Sequence, residues 1–228
     1  MMRKPQLRFN FVKKAVDIIH PDIQAYAGKY TSAEDALLKE INEYTRQHHT
    51  GYHMLSGHLQ GKWLEMVSCM IAPSRVLEIG TFMGYSALCL AKGLGSAGKL
   101  HTIELREEDA ATARRFFERS SYADQIILHT GNALEVIPAL EEEWDLVFID
   151  ADKVSYRAYL DMVWPRVKKN GFVLADNVFF HGEVLGEPVK GKNAKAISEF
   201  NNYVEARDDM DKMMLTLRDG VYLIRKTG

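Results

Sequence analysis

Cysteine is scarce in this sequence, and no apolar run is long. The two cysteines, Cys69 and Cys89, do not belong to a Cys-x-x-Cys pair, which argues against a disulfide framework or a zinc site. Both occupy apolar helical positions, so we expect reduced core thiols in a cytoplasmic protein. No apolar run approaches the roughly 18 to 20 residues of a membrane span. The polar start MMRKPQLRFN lacks the apolar core of a signal peptide.

A surplus of basic residues is also missing. Lys and Arg total 29 against 31 Asp and Glu, a formal net charge of −2. Nucleic acid is therefore disfavoured as the main partner, because little excess positive charge is present to neutralise phosphates. The length of 228 residues and the 46% hydrophobic composition fit one globular domain with a sizeable core.

Two helices are predicted before the first strand. One begins where Thr31 and Glu34 have the spacing of a capping box, and its apolar stripe contains Ala36, Leu37, Ile41 and Tyr44. We expect that helix to pack as a lid or a subunit contact. The next ends before Pro73 and has helically spaced apolar positions at Leu59, Trp63, Val67 and Met70.

Strand-like and helix-like segments then alternate along the chain. The strand-like runs are RVLEI, KLHTIEL, IILHTG, WDLVFID and GFVLADN, and helices are predicted after the first glycine turn and over 107–119, 134–140 and 156–167. This alternation predicts an α/β fold with a doubly wound, mostly parallel sheet. After a loop over 178–191 and a helix over 193–206, MMLTLRDGVYLIRK predicts two strands joined at Asp219 and Gly220. The seven-stranded sheet should therefore end in an antiparallel hairpin strand.

The first strand leads into a glycine turn, EIGTFMG. Phe82 stands where the dinucleotide fingerprint GxGxxG has its middle glycine, which argues against NAD or FAD. With Glu78 before Gly80 and Glu104 ending the next apolar run, the pattern resembles the S-adenosylmethionine site of class I methyltransferases. A plain strand-to-helix turn is the alternative interpretation.

Ligands bind beyond the carboxyl ends of parallel strands, and polar or small residues stand there in this sequence. Glu104 is placed to accept ribose hydroxyls, and Gly131 and Ala133 leave a slot for adenine. Ser86, near the start of the first crossover helix, can join the free amides of that helix in holding a carboxylate. These features match the parts of S-adenosylmethionine.

Two neighbouring strands end in Asp150 and in the pair Asp176 and Asn177. Three hard oxygen ligands without His or Cys suit Mg²⁺. The alternative is that the aspartates cap a helix or turn. Lys153 starts the following helix, where the helix dipole disfavours a cation, and this favours a functional role. A solvated surface lysine is the alternative.

The segments LEIGTFMGYSALCLA, FIDADK and LADNV, together with Tyr156, resemble the metal-dependent O-methyltransferase family of caffeoyl-CoA and catechol O-methyltransferases, especially its bacterial members. The likeness runs from about Met54 to Lys226. It implies one domain with a helical extension over 1–52 and a cofactor- and metal-binding core over 53–228. The cofactor residues that it implies are Met54, Ser56, Glu78, Gly80, Thr81, Phe82, Tyr85, Ser86, Glu104, Leu105, Gly131, Asn132, Ala133, Asp150 and Ala151.

The resemblance also implies the reaction: transfer of a methyl group from S-adenosylmethionine to a hydroxyl of a catechol-like or hydroxycinnamoyl-type small molecule. Asp150, Asp176 and Asn177 would hold Mg²⁺, or else Ca²⁺ or Mn²⁺, and Lys153 would be the base, with its ammonium partly neutral near pH 7. His181 falls at a substrate-contacting position, although NVFFHGEV departs from the plant pattern there. A homodimer is implied as well.

Two alternatives stay open at this point. One is a metal-free or nitrogen-directed class I methyltransferase, for which an Asn or Asp followed by Pro-Pro and an aromatic residue is expected at the fourth strand end. The chain instead reads Asp150-Ala151-Asp152-Lys153. The other is a noncatalytic cofactor-binding protein, which would tolerate loss of the metal set or of Lys153.

Overall fold

A computed structural model describes residues 18–228. Its centre is a seven-stranded sheet in the order β3-β2-β1-β4-β5-β7-β6. The strands are β1 Arg75–Ile79, β2 Lys99–Glu104, β3 Ile126–Thr130, β4 Trp144–Ile149, β5 Val167–Asp176, β6 Met210–Leu215 and β7 Val221–Lys226. The first five are parallel, and β7 runs antiparallel between β5 and β6. The α/β sheet predicted from the sequence is confirmed.

Helices cover both faces of this sheet. They are α1 Pro21–Lys29, α2 Ala36–His48, α3 Gly57–Ile71, α4 Tyr85–Ala91, α5 Glu107–Glu118, α6 Ala133–Ala139, α7 Tyr156–Val163 and α8 Lys192–Glu205, with 3₁₀ turns at Tyr52–Met54, Lys153–Ser155, Trp164–Arg166 and Phe180–Leu185. The predicted helix over 156–167 ends early, because the ring of Pro165 cannot continue an α-helix. Among residues 18–228, no helix is long and apolar enough to cross a membrane.

The side chains of β4 show why helices are needed on both faces. Leu146 and Phe148 belong to the core that includes residues of α2 to α5, whereas Val147 and Ile149 belong to the core that includes residues of α6 to α8. All four are fully buried. A strand buried on both faces is an almost continuous apolar run. The first polar residue after that run therefore marks the carboxyl end of the strand, where the chain leaves the core.

The capping box predicted at Thr31 and Glu34 is wrong. Asp35 is the N-cap of α2, and its Oδ1 accepts the N–H of Leu38 at 2.9 Å. The Thr31 hydroxyl instead donates to the Ala27 carbonyl oxygen, and Glu34 accepts a hydrogen bond from the Tyr85 hydroxyl. The helix therefore begins after Asp35 and packs against α4 of the core.

The buried face of α3 also differs from the predicted stripe. Met70 is 74% exposed, and the buried positions are Gln60, Gly61, Leu64, Val67 and Ser68. Polar residues can be buried here because the Ser68 hydroxyl donates to the Leu90 carbonyl and the Gln60 amide is hydrogen-bonded. The expectation of two core thiols is half wrong, since Cys69 is exposed and Cys89 is buried.

The C-terminal hairpin is confirmed as antiparallel, but its connection is longer than an Asp-Gly turn. It spans residues 216–220, and the carbonyls of Asp219 and Gly220 accept the N–H groups of Phe179 and Val178. Gly220 has φ +85°, and a Cβ there would lie 2.5 Å from the Phe179 ring. The connection is thus fitted against the chain that leaves β5.

Two predictions about the N-terminal part remain predictions. The signal-peptide argument concerns residues 1–10, which lie outside the described residues. The division into an extension over 1–52 and a core over 53–228 falls partly outside them as well.

Candidate active site

A cavity of about 550 Å³ opens at the carboxyl ends of the parallel strands. All residues predicted for the site line this cavity, with the exception of Glu78. They are Met54, Ser56, Gly80, Thr81, Phe82, Tyr85, Ser86, Glu104, Leu105, Gly131, Asn132, Ala133, Asp150, Ala151, Lys153, Asp176, Asn177 and His181. The residues that the sequence places after the strands therefore lie around one cavity.

The turn after β1 lies directly against the end of β4. Gly80 has φ +102°, and a Cβ at this position would be 2.0 Å from the carbonyl oxygen of Asp150. Phe82 also adopts a left-handed conformation, with φ +49°. Only glycine at position 80 allows the close approach to Asp150, which keeps the chain after β1 in contact with the end of β4.

Glu104 projects from the end of β2 as a fixed acceptor. Its Oε2 accepts the Phe82 N–H at 2.7 Å, and its Oε1 accepts the Arg106 N–H at 3.0 Å. Each carboxylate oxygen can accept more than one hydrogen bond, so both keep acceptor capacity toward the cavity. The two backbone donors hold the side chain in place without saturating it.

Glu78 lies beneath the cavity and not on its wall. The Thr102 hydroxyl donates to its Oε2 at 2.5 Å, while its Oε1 is buried without a hydrogen-bond partner in the described part of the chain. Burial raises the pKa of Glu78 to about 8, although the neighbouring Ser86 and Thr102 hydroxyls lower it. Glu78 does not line the cavity, and the cofactor contact predicted for it remains a prediction.

The three oxygen-bearing residues predicted to bind a metal stand at the ends of β4 and β5. Ile149 and Ala175 are register partners, so Asp150 and Asp176 follow at the same level of the sheet. Burial raises the pKa of Asp176 to about 7, and the charge of Asp150 adds to this rise. Asn177 adopts φ +56°, a conformation that asparagine tolerates better than most residues. Two carboxylates and an amide thus meet at one edge.

Lys153 binds Asp150 in this structure. Its Nζ donates to Asp150 Oδ1 at 2.9 Å and to the Tyr156 hydroxyl at 2.7 Å. Burial alone lowers the pKa of Lys153, but the Asp150 carboxylate and Tyr156 outweigh burial, and the net pKa is raised. The expectation of a partly neutral Lys153 near pH 7 applies to a site that holds a dication, and it remains a prediction.

His181 lies at the outer part of the cavity. It has φ +56° and a side chain that is 76% exposed. Its N–H donates to Asp219 Oδ1 at 2.6 Å, and its Nδ1 is 3.6 Å from Asp219 Oδ2. The imidazole is therefore anchored through its backbone and remains accessible from the cavity.

Gln60, Arg218 and Asp219 were given no role in the site from the sequence, although they hold residues of the cavity wall. Arg218 Nη1 donates to the carbonyls of Leu55 and Ser56 and to Gln60 Oε1, and Asp219 holds His181. The only local signal for Gln60 was a polar residue four positions before the apolar Leu64. Arg218 and Asp219 were read only as neighbours of a turn.

Comparisons with known proteins agree with this geometry. A family model described as O-methyltransferase matches residues 29–227. A catechol O-methyltransferase of Niastella koreensis is 32% identical over 162 residues, which cover 69% of this chain and 73% of that protein. Caffeoyl-CoA O-methyltransferase 1 of Eucalyptus globulus is 28% identical over 200 residues, covering 83% of this chain and 81% of that protein.

A solved structure shows the same fold. The O-methyltransferase TomG from Streptomyces achromogenes, involved in tomaymycin synthesis and crystallised with S-adenosylmethionine, superposes with a TM-score of 0.84 at 26% identity, covering 91% of this chain and 96% of TomG. Family model, sequence relatives and fold agree. The chain therefore belongs to the O-methyltransferase family, and it is an S-adenosylmethionine-dependent O-methyltransferase.

Proposed function

We propose that this enzyme methylates one hydroxyl of a catechol-like or hydroxycinnamoyl-type small molecule, assisted by a divalent cation. The observation that carries the proposal is the cavity itself, which has the fixed acceptor Glu104 in one wall and the oxygen set of Asp150, Asp176 and Asn177 in another. The names of the relatives, catechol and caffeoyl-CoA O-methyltransferases, support vicinal phenolic hydroxyls as the acceptor.

The residues present fit S-adenosylmethionine, which supplies an electrophilic methyl group on a sulfonium. Glu104 would accept its ribose hydroxyls, and Gly131, Asn132 and Ala133 would flank the adenine. The unpartnered buried Oε1 of Glu78 suits a cationic or N–H group behind Ser86. The remaining contacts that we propose are Met54, Ser56, Gly80, Thr81, Phe82, Tyr85, Leu105, Asp150 and Ala151.

The residues also fit a hard divalent cation. Two carboxylates at one edge, one of them buried with its pKa raised to about 7, make a strongly electronegative spot. No group of three or more His, Cys, Asp or Glu side chains within residues 18–228 is placed to hold a metal ion, and the proposal takes Asn177 as the third ligand. Such an oxygen set favours Mg²⁺, with Ca²⁺ or Mn²⁺ as alternatives, and a bound cation would lower the pKa of a chelated hydroxyl.

Lys153 has the proton-handling role in this proposal. Its Nζ lies beside Asp150 and can reach a substrate hydroxyl placed against that carboxylate. Lys153 can accept a proton only as a neutral amine. The negative charge of Asp150 favours the ammonium, whereas a cation that compensates this charge would favour the neutral amine. As an ammonium, Lys153 can orient the hydroxyl oxygen by donating a hydrogen bond to it. Little charge needs stabilising late in methyl transfer, so positioning should supply most of the rate.

The acceptor end of the cavity would be formed by His181 and its neighbours. His181 is exposed there, and the adjacent Phe180 ring lies 5.5 Å from the imidazole between ring centroids. We propose that His181 contacts the substrate. A homodimer, implied by the resemblance, remains a prediction that sedimentation of the purified protein would test.

One observation favours a metal-free methyltransferase as the second candidate. The Lys153 ammonium already compensates Asp150 in this structure, and such a pair could orient a hydroxyl without a cation. Incubation of the protein with catechol and methyl-labelled S-adenosylmethionine, with EDTA or with Mg²⁺, separates the two. Magnesium-dependent labelling is expected. Labelling that persists in EDTA and gains nothing from Mg²⁺ would favour the metal-free mechanism.

A further inference from the structure

Gln60 is a polar side chain with no exposed surface, and both ends of its amide are used. Its Nε2 donates to Asp176 Oδ2 at 2.7 Å, and its Oε1 accepts from Arg218 Nη1 at 2.8 Å. Because arginine has donors only, the amide oxygen must face Arg218 and the NH₂ group must face Asp176. The orientation of the Gln60 amide is therefore fixed by its neighbours.

The Asp176 carboxylate is held by this amide on one side and by the backbone on the other. Its Oδ1 accepts the Asn177 N–H at 2.8 Å while Oδ2 accepts from Gln60. The two donors fix the plane of the carboxylate and leave further lone pairs on both oxygens. The direction in which Asp176 can bind a cation is thus set in part by Gln60, which lies outside the proposed ligand set.

Arg218 extends this connection to the cofactor side of the cavity. The same Nη1 that bonds Gln60 also donates to the Ser56 carbonyl at 2.5 Å and to the Leu55 carbonyl at 3.1 Å. Leu55 and Ser56 both line the cavity. The Arg218 guanidinium therefore joins Leu55 and Ser56 in the cavity wall to the Gln60 amide that holds Asp176.

We infer that Gln60 and Arg218 are positioning residues, in which Gln60 orients the Asp176 carboxylate toward the cation and Arg218 fixes Gln60 together with Leu55 and Ser56. The inference rests on the proposed function, because it gives Asp176 a cation to bind. Partners of metal ligands typically change metal affinity or activity by about 10- to 100-fold when they are removed.

The test uses Gln60→Met in the full chain, because methionine keeps the length and removes both hydrogen bonds. Gln125→Met is the matched control, since the Gln125 side chain also makes two hydrogen bonds, here donating to the carbonyls of Gly95 and Gly98, away from the cavity. Mn²⁺ affinity is measured by calorimetry with S-adenosylhomocysteine present. S-adenosylhomocysteine affinity is measured in EDTA, and thermal unfolding is followed for each protein.

The expected result is a Mn²⁺ affinity about 10-fold or more weaker in Gln60→Met, with S-adenosylhomocysteine affinity in EDTA within about twofold of wild type. Gln125→Met should change neither affinity. Arg218→Met should weaken both, because it also releases Leu55 and Ser56, and Arg218→Lys should restore part of the loss. If Gln60→Met does not fold, Arg218→Met decides, and unchanged Mn²⁺ affinity in folded Arg218→Met overturns the inference.

The outcomes separate this inference from the proposed function. Unchanged Mn²⁺ affinity in folded Gln60→Met overturns the inference, even if the wild type methylates catechol with Mg²⁺. Equal losses of both affinities in Gln60→Met show a merely structural role and overturn it too. A wild type that binds Mn²⁺ and shows the predicted Gln60→Met loss but methylates no phenol keeps the inference and refutes the proposed function. A wild type that binds no Mn²⁺ overturns the inference and the metal part of the function.

Discussion

Replacing Glu104 by alanine tests the cofactor end of the site most directly. In the structure both carboxylate oxygens are held by backbone N–H groups, of Phe82 and Arg106, so the side chain needs no rearrangement to accept the ribose hydroxyls. Hydrogen bonds to a charged group contribute about 1.5 to 3 kcal/mol each. In Glu104→Ala, water in the open cavity can hydrate the freed ribose hydroxyls and both N–H groups. We therefore expect a total loss of about 1.5 to 3 kcal/mol, within the value of one such bond.

This loss corresponds to a Kd for S-adenosylhomocysteine raised by about 10- to 150-fold, because each 1.4 kcal/mol is a factor of ten. Titration calorimetry in EDTA measures it without any involvement of a cation. Glu108→Ala is the matched control, since Glu108 is exposed on α5 and does not line the cavity. An unchanged Kd in folded Glu104→Ala would show that this carboxylate does not bind the ribose, and the placement of the cofactor in the cavity would have to be reversed or abandoned.

Three further predictions concern Asp176 and Lys153 at the proposed metal site and the buried carboxyl group of Glu78. Asp176→Ala should abolish magnesium-stimulated turnover and leave S-adenosylhomocysteine binding in EDTA largely intact; turnover equal to wild type would refute the ligand assignment. Lys153→Met should lower turnover by about 10² to 10⁴, the range for a positioned acid or base, without weakening Mn²⁺ binding, because it removes the group that competes for Asp150. Calorimetry and initial rates measure the two effects, and electron-poor catechols, which ionise unaided, should recover much of the lost rate. Glu78 has a folded-state pKa raised from 4.5 to about 8, so its contribution to stability is complete below pH 4.5 and is lost as the pH rises through about 8. Glu78→Gln should therefore lose less stability than wild type between pH 6 and 9 in chemical unfolding, and identical pH slopes would contradict a buried, protonated Glu78.

The strand ends were predictable because the buried strands of a parallel sheet are apolar runs that can be recognised in the sequence. Glu104, Asp150 and Asp176 each follow an apolar run, and the topology alone brings the ends of neighbouring strands together. Gly80 was equally informative, since its close approach to Asp150 requires the absence of a side chain. For the strand ends, the polar residue directly follows the apolar run that predicts its place.

Predictions failed where the partner of a residue lies far away in sequence. Gln60 is buried and bonds Asp176, 116 positions later, so an argument from the apolar stripe of its own helix gave it no role. The Glu34 carboxylate could not close a capping box at Thr31, because Tyr85, 51 positions away, binds it and Asp35 caps the helix instead. The spacing of residues within one segment does not predict partners that lie so far away in the chain.

The state of Lys153 shows the same limit in electrostatic terms. Its position after Asp150 was sufficient to predict that it belongs to the site, but the sign of its pKa shift depends on which charge faces it. The Asp150 carboxylate raises the pKa here, whereas the general-base role needs that charge to be compensated. A residue type and a spacing therefore predicted Lys153 as a residue of the cavity, and its working pKa is a property of the assembled site.

The connection between β6 and β7 shows why a correct local signal can still hide function. An Asp-Gly pair between apolar runs predicts a hairpin, and the two strands are antiparallel neighbours. The connection is longer than a two-residue turn because its residues also face the cavity: Asp219 binds the backbone of His181, and Arg218 binds Ser56 and Gln60. Arg218 adopts φ +48°, a conformation that costs energy for a residue other than glycine. Its hydrogen bonds to the cofactor side and to the residue that holds Asp176 offset that cost, which is why a turn position carries the link between the two halves of the proposed site.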